Sequence, residues 1–526
     1  MQVTQSALCL CAALSLCSPA QSETFDLVIR HGRMVDGMGN PARFADVAIR
    51  NGRVAEIGKN PGPGIHEIDA AGLIVAPGFV DVHTHAEDIR DLPLAENFVR
   101  MGVTTLVLGN CGSSIQDVGE FWRWIKTQGV AANIATLIGQ GTIRSSIMGG
   151  SFMRPPSEGE LNRMKAAVGQ AMQEGALGLS TGLIYLPGTF ATTDELVELA
   201  KVAAEHDGIY ASHMRDEGPQ IFDALRELFT IARQAGIRAH ISHIKLSGPR
   251  AWGGADRVLA AIEQARADGL DITQDQYAYT ASSTGISQLV PSDVREGGRE
   301  KFLNRIEDAE QKANLVKGMK EKLSQSRRED FSYAVIASYK ADPSLNGKTI
   351  PEAARSKRGS DSLDDQIELI LEIHKNGGAS GVFHGMHEDD LRKFLAHPNT
   401  MAASDSGVRR FGEGVPHPRG YGNNARILAR YVRELKVLRL EEAIRRMTAL
   451  PATTFRLQDR GVLREGNWAD IVVFDAASVQ DHATFADPHH YATGIRHVFI
   501  NGVAVVLNEA HTGAKPGRPV RRGAAD

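Results

Sequence analysis

Eight short apolar runs, each followed by a helical pattern, constrain this chain more than any other feature. They are Phe79–Val82, Thr104–Leu108, Ile134–Ile138, Leu177–Ser180, Ile209–Ala211, Ala239–Ile241, Ile272–Gln276 and Met401–Ala403. Helical periodicity fills the intervals, as in Glu158–Glu174, Thr193–Glu205, Ile221–Ala235 and Ala255–Ala267. Strands that alternate with helices cross over to parallel neighbours, so the pattern predicts an α/β chain built on a (β/α)8 TIM-like barrel. The interval before the eighth run is long. Its charged, helix-rich stretch, about 285–378, reads as an insertion near the barrel mouth.

The two ends of the chain read differently. Phe25–Arg30, Asp46–Ile49, Val54–Ile57 and Leu73–Ala76 are strand-like, and so are Ala469–Phe474, Ile495–Ile500 and Val503–Val506. Asn501-Gly502 carries the signature of a type I′ hairpin. Matching β segments at both ends predict a small β-sandwich domain made from residues 21–77 and 451–526, with the barrel over 78–450. A chain of 526 residues has room for both.

Composition excludes several classes of partner. Lys and Arg number 59 against 63 Asp and Glu, a net charge of −4, which is not the basic surplus of a nucleic-acid binder. No apolar stretch of about 18 residues follows the opening segment, so no membrane span is expected. That opening segment has an apolar run, Ala7–Leu16, and then Ser18-Pro19-Ala20, which together read as an export signal over residues 1–20 and predict a periplasmic or secreted protein. Removal of the signal takes Cys9, Cys11 and Cys17 with it and leaves Cys111 as the single cysteine. A lone cysteine forms no internal disulfide.

Chemistry in a barrel of this kind belongs at the C-terminal ends of the strands. The first run leads into His83-Thr84-His85, whose two imidazoles, at i and i+2, point to one side. The second ends in Gly109-Asn110-Cys111, the fifth in Ser212-His213, the sixth in Ser242-His243 with Lys245 beyond it, and the eighth in Ser404-Asp405. Taken singly, each has a structural explanation: a hydrogen-bonded core histidine, a buried thiol or a helix N-cap. Together, imidazole, thiolate and carboxylate at five strand ends are the ligand types of a zinc site. A nucleophilic cysteine with a histidine base is the competing reading, but such a pair needs one histidine, not four.

With these residues in place the chain resembles the amidohydrolase superfamily, and within it the N-acyl-D-amino-acid deacylases. The resemblance rests on Pro77-Gly78-Phe79-Val80-Asp81-Val82-His83-Thr84-His85, Gly109-Asn110-Cys111-Gly112, Gly178-Leu179-Ser180-Thr181-Gly182-Leu183-Ile184-Tyr185, Ser212-His213-Met214-Arg215-Asp216-Glu217, Ser242-His243-Ile244-Lys245, Ser404-Asp405, His417-Pro418-Arg419 and Ala469-Asp470-Ile471-Val472. It implies a tightly held zinc on Cys111, His213 and His243, and a weaker second site on His83, His85 and Asp405. It implies Asp405 as general base and acid, and Lys245, Arg419 and Tyr185 as holders of the substrate carboxylate. Phe383, Met386 and Ser283 fall where the family lines its side-chain pocket. Where family members often continue His-Thr-His with two aspartates, this chain reads His85-Ala86-Glu87-Asp88.

The activity implied is zinc-dependent hydrolysis of linear N-acyl-D-amino acids, small-molecule substrates, with a preference for apolar side chains. Gly381–Met386 carries no cation apart from a protonated His384, so acidic side chains are expected to be poor. A cyclic-amide hydrolase or a dipeptidase on the same scaffold, and a non-catalytic homologue, are the alternatives. Oligomeric state is not legible in the sequence.

Overall fold

The computed structural model describes residues 24–523, so the export signal read over 1–20 lies outside the described residues. Parallel pairing runs in chain order through eight strands. These are β1 (Phe79–Asp81), β2 (Val103–Leu108), β3 in two pieces (Asn133–Thr136 and Ile138–Gly139), β4 (Gly178–Gly182), β5 (Ile209–His213), β6 (Arg238–Ile241), β7 (Ile272–Gln276) and β8 (Thr400–Ala402). The eighth returns to the first through a parallel bridge between Thr84 and Ser406, beside which the Asp405 N–H donates to the His83 carbonyl at 2.9 Å. Among the described residues no helix is long and apolar enough to cross a membrane.

The ring is filled, not hollow. Val80, Val82, Val107, Ala135, Leu137, Leu177, Ile209, Ala211, Met401 and Ala403 form one buried cluster, floored by Phe455, Leu457 and Val520. On each strand they alternate with residues that pack outward against the helices, the two-residue period of extended chain. A plugged interior leaves substrate one place to meet the strands, their C-terminal ends.

The chain termini build two further sheets. One orders its strands Arg53–Gly58, Asp46–Arg50, Phe25–Arg30 and Gly64–Asp69. The other, of seven strands, pairs Ile74–Pro77 antiparallel to Ile471–Phe474 and so joins the beginning of the chain to its end. Leu27, Ile29, Val47, Ile49 and Val54 of the first share a core with Val75, Ile471, Val473 and Phe499 of the second. Asn501 and Gly502 both adopt positive φ, 51° and 78°, as a type I′ turn requires.

Between β7 and β8 lies the inserted unit. Ala281–Gly285, Ser380–His384 and Ala334–Ser338 form an antiparallel sheet, with helices Gly298–Glu307, Ala309–Gln325, Ile350–Arg358 and Leu363–Lys375 around it. It has its own core, including Phe302, Leu315, Phe331, Ile336, Ile350 and Ile367. The unit takes in residues on both sides of the 285–378 stretch. Ala281-Ser282-Ser283-Thr284-Gly285 shows no apolar alternation, and its strand character comes from pairing with Gly381, Val382 and Phe383.

Asp470 ties the terminal sheets to the ring. It is buried, pairs with Arg460, accepts from Asn133 Nδ2 at 3.1 Å and from the Asn501 N–H at 2.8 Å, and Asn501 Nδ2 in turn donates to Asn133 Oδ1 at 2.8 Å. Removing the carboxylate strands the buried Arg460 charge, a loss of about 3–5 kcal/mol. Asp470→Ala is therefore expected to lower unfolding free energy by that amount in chemical denaturation, and a change below about 1 kcal/mol would show that the tie carries no weight.

Candidate metal centre and active site

The residues at the strand ends converge. Cys111 Sγ lies 3.3 Å from His83 Nε2, 3.5 Å from His243 Nε2 and 3.7 Å from His213 Nδ1. Asp405 Oδ1 lies 3.2 Å from His85 Nε2 and 3.6 Å from His83 Nε2. A tetrahedral zinc, with Zn–S near 2.3 Å and Zn–N near 2.0–2.1 Å, sets S···N edges of about 3.5 Å, so the spacing around Cys111 fits such an ion. Among the described residues, candidate ligand atoms fall into three groups, each within 4.8 Å: His83, His85 and Asp405, as expected; His83 with Cys111 and His243, where His83 takes the place expected of His213; and His213 with Glu217 and His243.

The backbone turns sharply to achieve this. Cys111, His243 and Asp405 adopt positive φ, at 53°, 37° and 52°. Non-glycine residues rarely do so, at a cost of order 1–3 kcal/mol each, and such turns persist where the surroundings over-determine them. Here those surroundings are visible. Ser180 Oγ accepts from the Gly112 N–H at 3.1 Å and donates to the Gly109 carbonyl, while Glu87 Oε1 accepts from the Gly109 N–H at 2.8 Å. Glu87 is thus the working residue of the unusual run after His85. Gly182 ends β4 because a Cβ there would lie 2.1 Å from the Cys111 carbonyl oxygen.

Two buried carboxylates orient the imidazoles. Asp275 Oδ2 lies 3.2 Å from His83 Nδ1 and 2.8 Å from His240 Nε2, and its Oδ1 accepts from the His243 N–H at 3.0 Å. Glu217 Oε1 lies 3.0 Å from His243 Nδ1, and its Oε2 lies 3.5 Å from His213 Nε2. A proton held on Nδ1 of His83 by Asp275 frees its Nε2 lone pair to face Cys111, while His243 Nδ1 lies between Glu217 Oε1 at 3.0 Å and Lys245 Nζ at 2.8 Å. Sequence reasoning passed over both. Asp275 stands at the end of β7, where polar residues signal chemistry, and Glu217 lies four positions beyond His213.

Charge follows geometry. Burial opposes ionisation of Cys111, yet His83, His243 and His213 outweigh it and hold the thiol well below its usual range, as a thiolate. Burial likewise opposes charge on Asp405, and Arg419, His83, His243 and His85 keep it ionised. On Glu217, Lys245, His213 and His243 overcome burial and bring its carboxyl down to about 2. Burial works against a proton on His85, but Asp405 and Cys111 raise it to about 10. Anionic donors thus favour protons on His83, His85 and His243, while burial pushes His213 toward its neutral form, and a divalent cation displaces such protons from the same donor atoms.

Around the cluster stand the expected substrate residues. Lys245, 4% exposed, donates to Glu217 Oε1 at 2.6 Å and to the His243 carbonyl at 2.8 Å. Arg419, 2% exposed, has Nη1 2.8 Å from Asp405 Oδ2 and stacks over the Tyr277 ring at 4.6 Å. Among the described residues its Nε has no hydrogen-bond partner and its Nη1 meets Asp405 only as an ion pair of poor hydrogen-bond angle. His417 accepts from the Arg419 N–H at 3.0 Å, and its Nε2 donates to the Ala281 carbonyl at 2.9 Å, which pins the Arg419 turn to the strand of Ser283.

Tyr185, Ser283 and Phe383 line a cavity of about 250 Å³ that also reaches His213, His243, Lys245 and Asp405. Met386 is not among its lining. It packs in the main core and its sulfur accepts from Tyr277 Oη at 3.4 Å. Gly381–Met386 carries no Lys or Arg, as read from the sequence, but Lys322 and Arg328, from elsewhere in the inserted unit, line the pocket. They come from a segment about 60 residues before Phe383 in the chain, and only the insertion's fold brings them there.

Thiolate, imidazole and carboxylate donors at the C-terminal ends of a parallel ring define a metal-dependent hydrolase of the TIM-barrel type. The chain belongs to the amidohydrolase family, whose model matches residues 66–275 and 353–506 and so leaves out most of the inserted unit. It is 34% identical to a D-aminoacylase of Alcaligenes xylosoxydans xylosoxydans over 97% of this chain and 100% of the relative. It is also 34% identical to an N-acyl-D-glutamate deacylase of the same organism, over 96% and 98% of the two chains. Among solved structures, an N-acyl-D-glutamate deacylase of Bordetella bronchiseptica, complexed with zinc and a phosphonate inhibitor that mimics the tetrahedral intermediate, superposes with a TM-score of 0.82 at 32% identity, over 95% of this chain and 100% of that one.

Asp275 offers the sharpest test of the site's construction. Asp275→Asn keeps the shape but no longer secures the Nδ1 proton of His83. Divalent-metal affinity is expected to fall about 10–100-fold in competition against a chelator, and unchanged affinity would remove Asp275 from the orienting role.

Proposed function

We propose that the protein hydrolyses the linear amide of N-acyl-D-amino acids, releasing a carboxylate and a free D-amino acid. One observation carries this reading: two buried cations, Lys245 and Arg419, stand beside the thiolate–imidazole–carboxylate cluster, and Arg419 Nε has no hydrogen-bond partner among the described residues. An N-acyl amino acid brings a carboxylate two bonds from its amide nitrogen. A cyclic amide brings none, which disfavours that alternative. The D configuration rests on the named activities of the relatives. The architecture that supports the site is a (β/α)8 barrel over residues 78–450, carried on a small β-sandwich of 21–77 and 451–526.

The mixed sulfur and nitrogen donors suit zinc, with one ion held tightly by Cys111, His213 and His243 and a weaker set formed by His83, His85 and Asp405. Bound there, the ion supplies Lewis acidity and an activated water. Asp405, ionised and close to both ligand sets, takes the proton of that water and passes it to the departing amine nitrogen. Arg419 orients the Asp405 carboxylate and, with Lys245 and Tyr185, grips the substrate carboxylate. Glu217 keeps Lys245 and two imidazoles in place throughout.

Asp405→Asn is expected to retain the tight zinc and lose about 10²–10⁴-fold in kcat, measured beside the metal content of the purified variant. Near-normal kcat would take Asp405 out of the proton transfer, and loss of zinc would make it a ligand of the tight site.

The apolar side of the cavity is walled by Phe331, Phe383, Tyr333, Leu289, Met319 and Leu323. Arg328 is stacked 3.7 Å over the Tyr333 ring and donates to the His384 carbonyl, and Lys322 is exposed to water. Burying a Leu- or Phe-sized group against such walls contributes about 1.5–3 kcal/mol. In a panel of N-acetyl amino acids, D-Leu, D-Met and D-Phe are therefore expected to exceed D-Glu and D-Asp by roughly tenfold or more in kcat/KM, with the L isomers inert. If the acidic substrates win, Lys322 and Arg328 define the pocket; if L isomers win, the stereochemical assignment falls.

A further inference from the structure

A second cleft, of about 720 Å³, opens on the other side of Tyr185. Tyr185, Ser283 and Thr284 line both it and the side-chain cavity, and its inner end is formed by Cys111 and His85. The scissile amide has two halves and the metal cluster has two clefts. The amino-acid half belongs with Lys245, which lines the smaller cavity, so the acyl half faces the larger.

The larger cleft's size and chemistry define what it accepts. Its volume is well above the roughly 250 Å³ of its neighbour, so a two-carbon acyl group leaves most of it to water. Its wall comes from the loop after β2, the helix Gln140–Met148 and the segment beyond that helix. It presents the hydroxyls of Ser113, Thr142, Ser145, Ser146 and Ser151 and the amide of Gln116. Gln116 Nε2 donates to Ser146 Oγ at 2.9 Å, and Thr142 Oγ1 accepts from the Ser114 N–H at 3.0 Å, so this part of the wall is ordered by its own bonds. The side-chain oxygens of Ser113, Ser145 and Ser151 make no hydrogen bond among the described residues. No Asp, Glu, Lys or Arg lines the cleft, and its aliphatic side chains are Leu186 and Pro187.

A fatty chain laid here would strip water from hydroxyls and give nothing back. Beyond His85 at the metal end, a charged acyl group would find no counter-ion in the cleft's lining. A neutral chain of alternating N–H and C=O groups matches both the room and the unspent hydroxyls. We propose that the acyl half of the preferred substrate is peptide-like, so that the enzyme releases the terminal D-residue of a short neutral peptidyl-D-amino acid. The proposal rests on the hydrolase reading above and names the substrate class of that site.

Three substrates that share D-Leu test it: N-acetyl, N-(acetylglycyl) and N-octanoyl, compared by kcat/KM on the zinc-loaded enzyme. The acetylglycyl substrate is expected to exceed each of the others by about tenfold. In the Ser145→Ala/Ser151→Ala double variant, checked for an unchanged melting temperature, the acetylglycyl-to-acetyl ratio is expected to fall toward one, whatever the absolute rates. Equal rates for the three, a best octanoyl substrate, or a ratio untouched by the double variant would overturn the proposal while the acetyl substrate's turnover keeps the hydrolase reading intact. If none of the three is hydrolysed, both readings fall together.

Discussion

A thiolate buried at the mouth of an apolar ring is the constraint around which the rest is arranged. An isolated anion in such a place is untenable, and Cys111 is stabilised by three imidazoles at hydrogen-bond range. Those imidazoles need orientation, so Asp275 and Glu217 are buried behind them. Glu217 needs a cation, which is Lys245, and Asp405 needs another, which is Arg419. The network closes on itself: each buried charge is tolerated because another is present. The positive-φ turns at Cys111, His243 and Asp405 belong to the same logic, since only strand ends fixed by the ring can hold three strained residues in register.

The ring and the residues at its mouth were legible because both obey short-range rules. Strand runs such as Ile272–Gln276 announce themselves by composition, and His83, His85, Cys111, His213, His243 and Asp405 follow their strands directly. What escaped the sequence depends on distance. Asp275 is embedded in a strand and reads as part of its pattern until the His83 and His240 side chains are seen against it. Ser283 owes its place to a strand with no apolar alternation, which exists because Phe383 and its neighbours pair with it. Met386 looked like pocket lining by its place in the resemblance, and three-dimensional packing turned it toward Tyr277.

The inserted unit divides labour with the ring. Catalytic and anchoring groups come from the strand ends and the turn at Arg419, while most of the far wall of the side-chain cavity comes from Leu289, Met319, Leu323, Phe331, Tyr333 and Phe383. The unit has a core of its own, to which Leu289, Met319, Leu323, Phe331 and Phe383 belong, separate from the core of the ring. That most of it lies between the two stretches matched by the family model agrees with this separation of chemistry from selection. The cleft beyond Tyr185 is walled mostly by the ring's own loops and the helix after β3, with Ser283 and Thr284 of the inserted unit at its border with the cavity.

The antiparallel pairing of Ile74–Pro77 with Ile471–Phe474 spans nearly 400 residues of chain. On a ribosome the early strand waits for almost the whole protein to be made, with a hydrophobic edge uncovered. That strand runs directly into β1, and Asp470 lies at the head of its late partner. The first strand of the ring and its support are therefore completed together by the last seventh of the chain, so a protein cut short there keeps every ligand residue yet lacks the strand that closes its base.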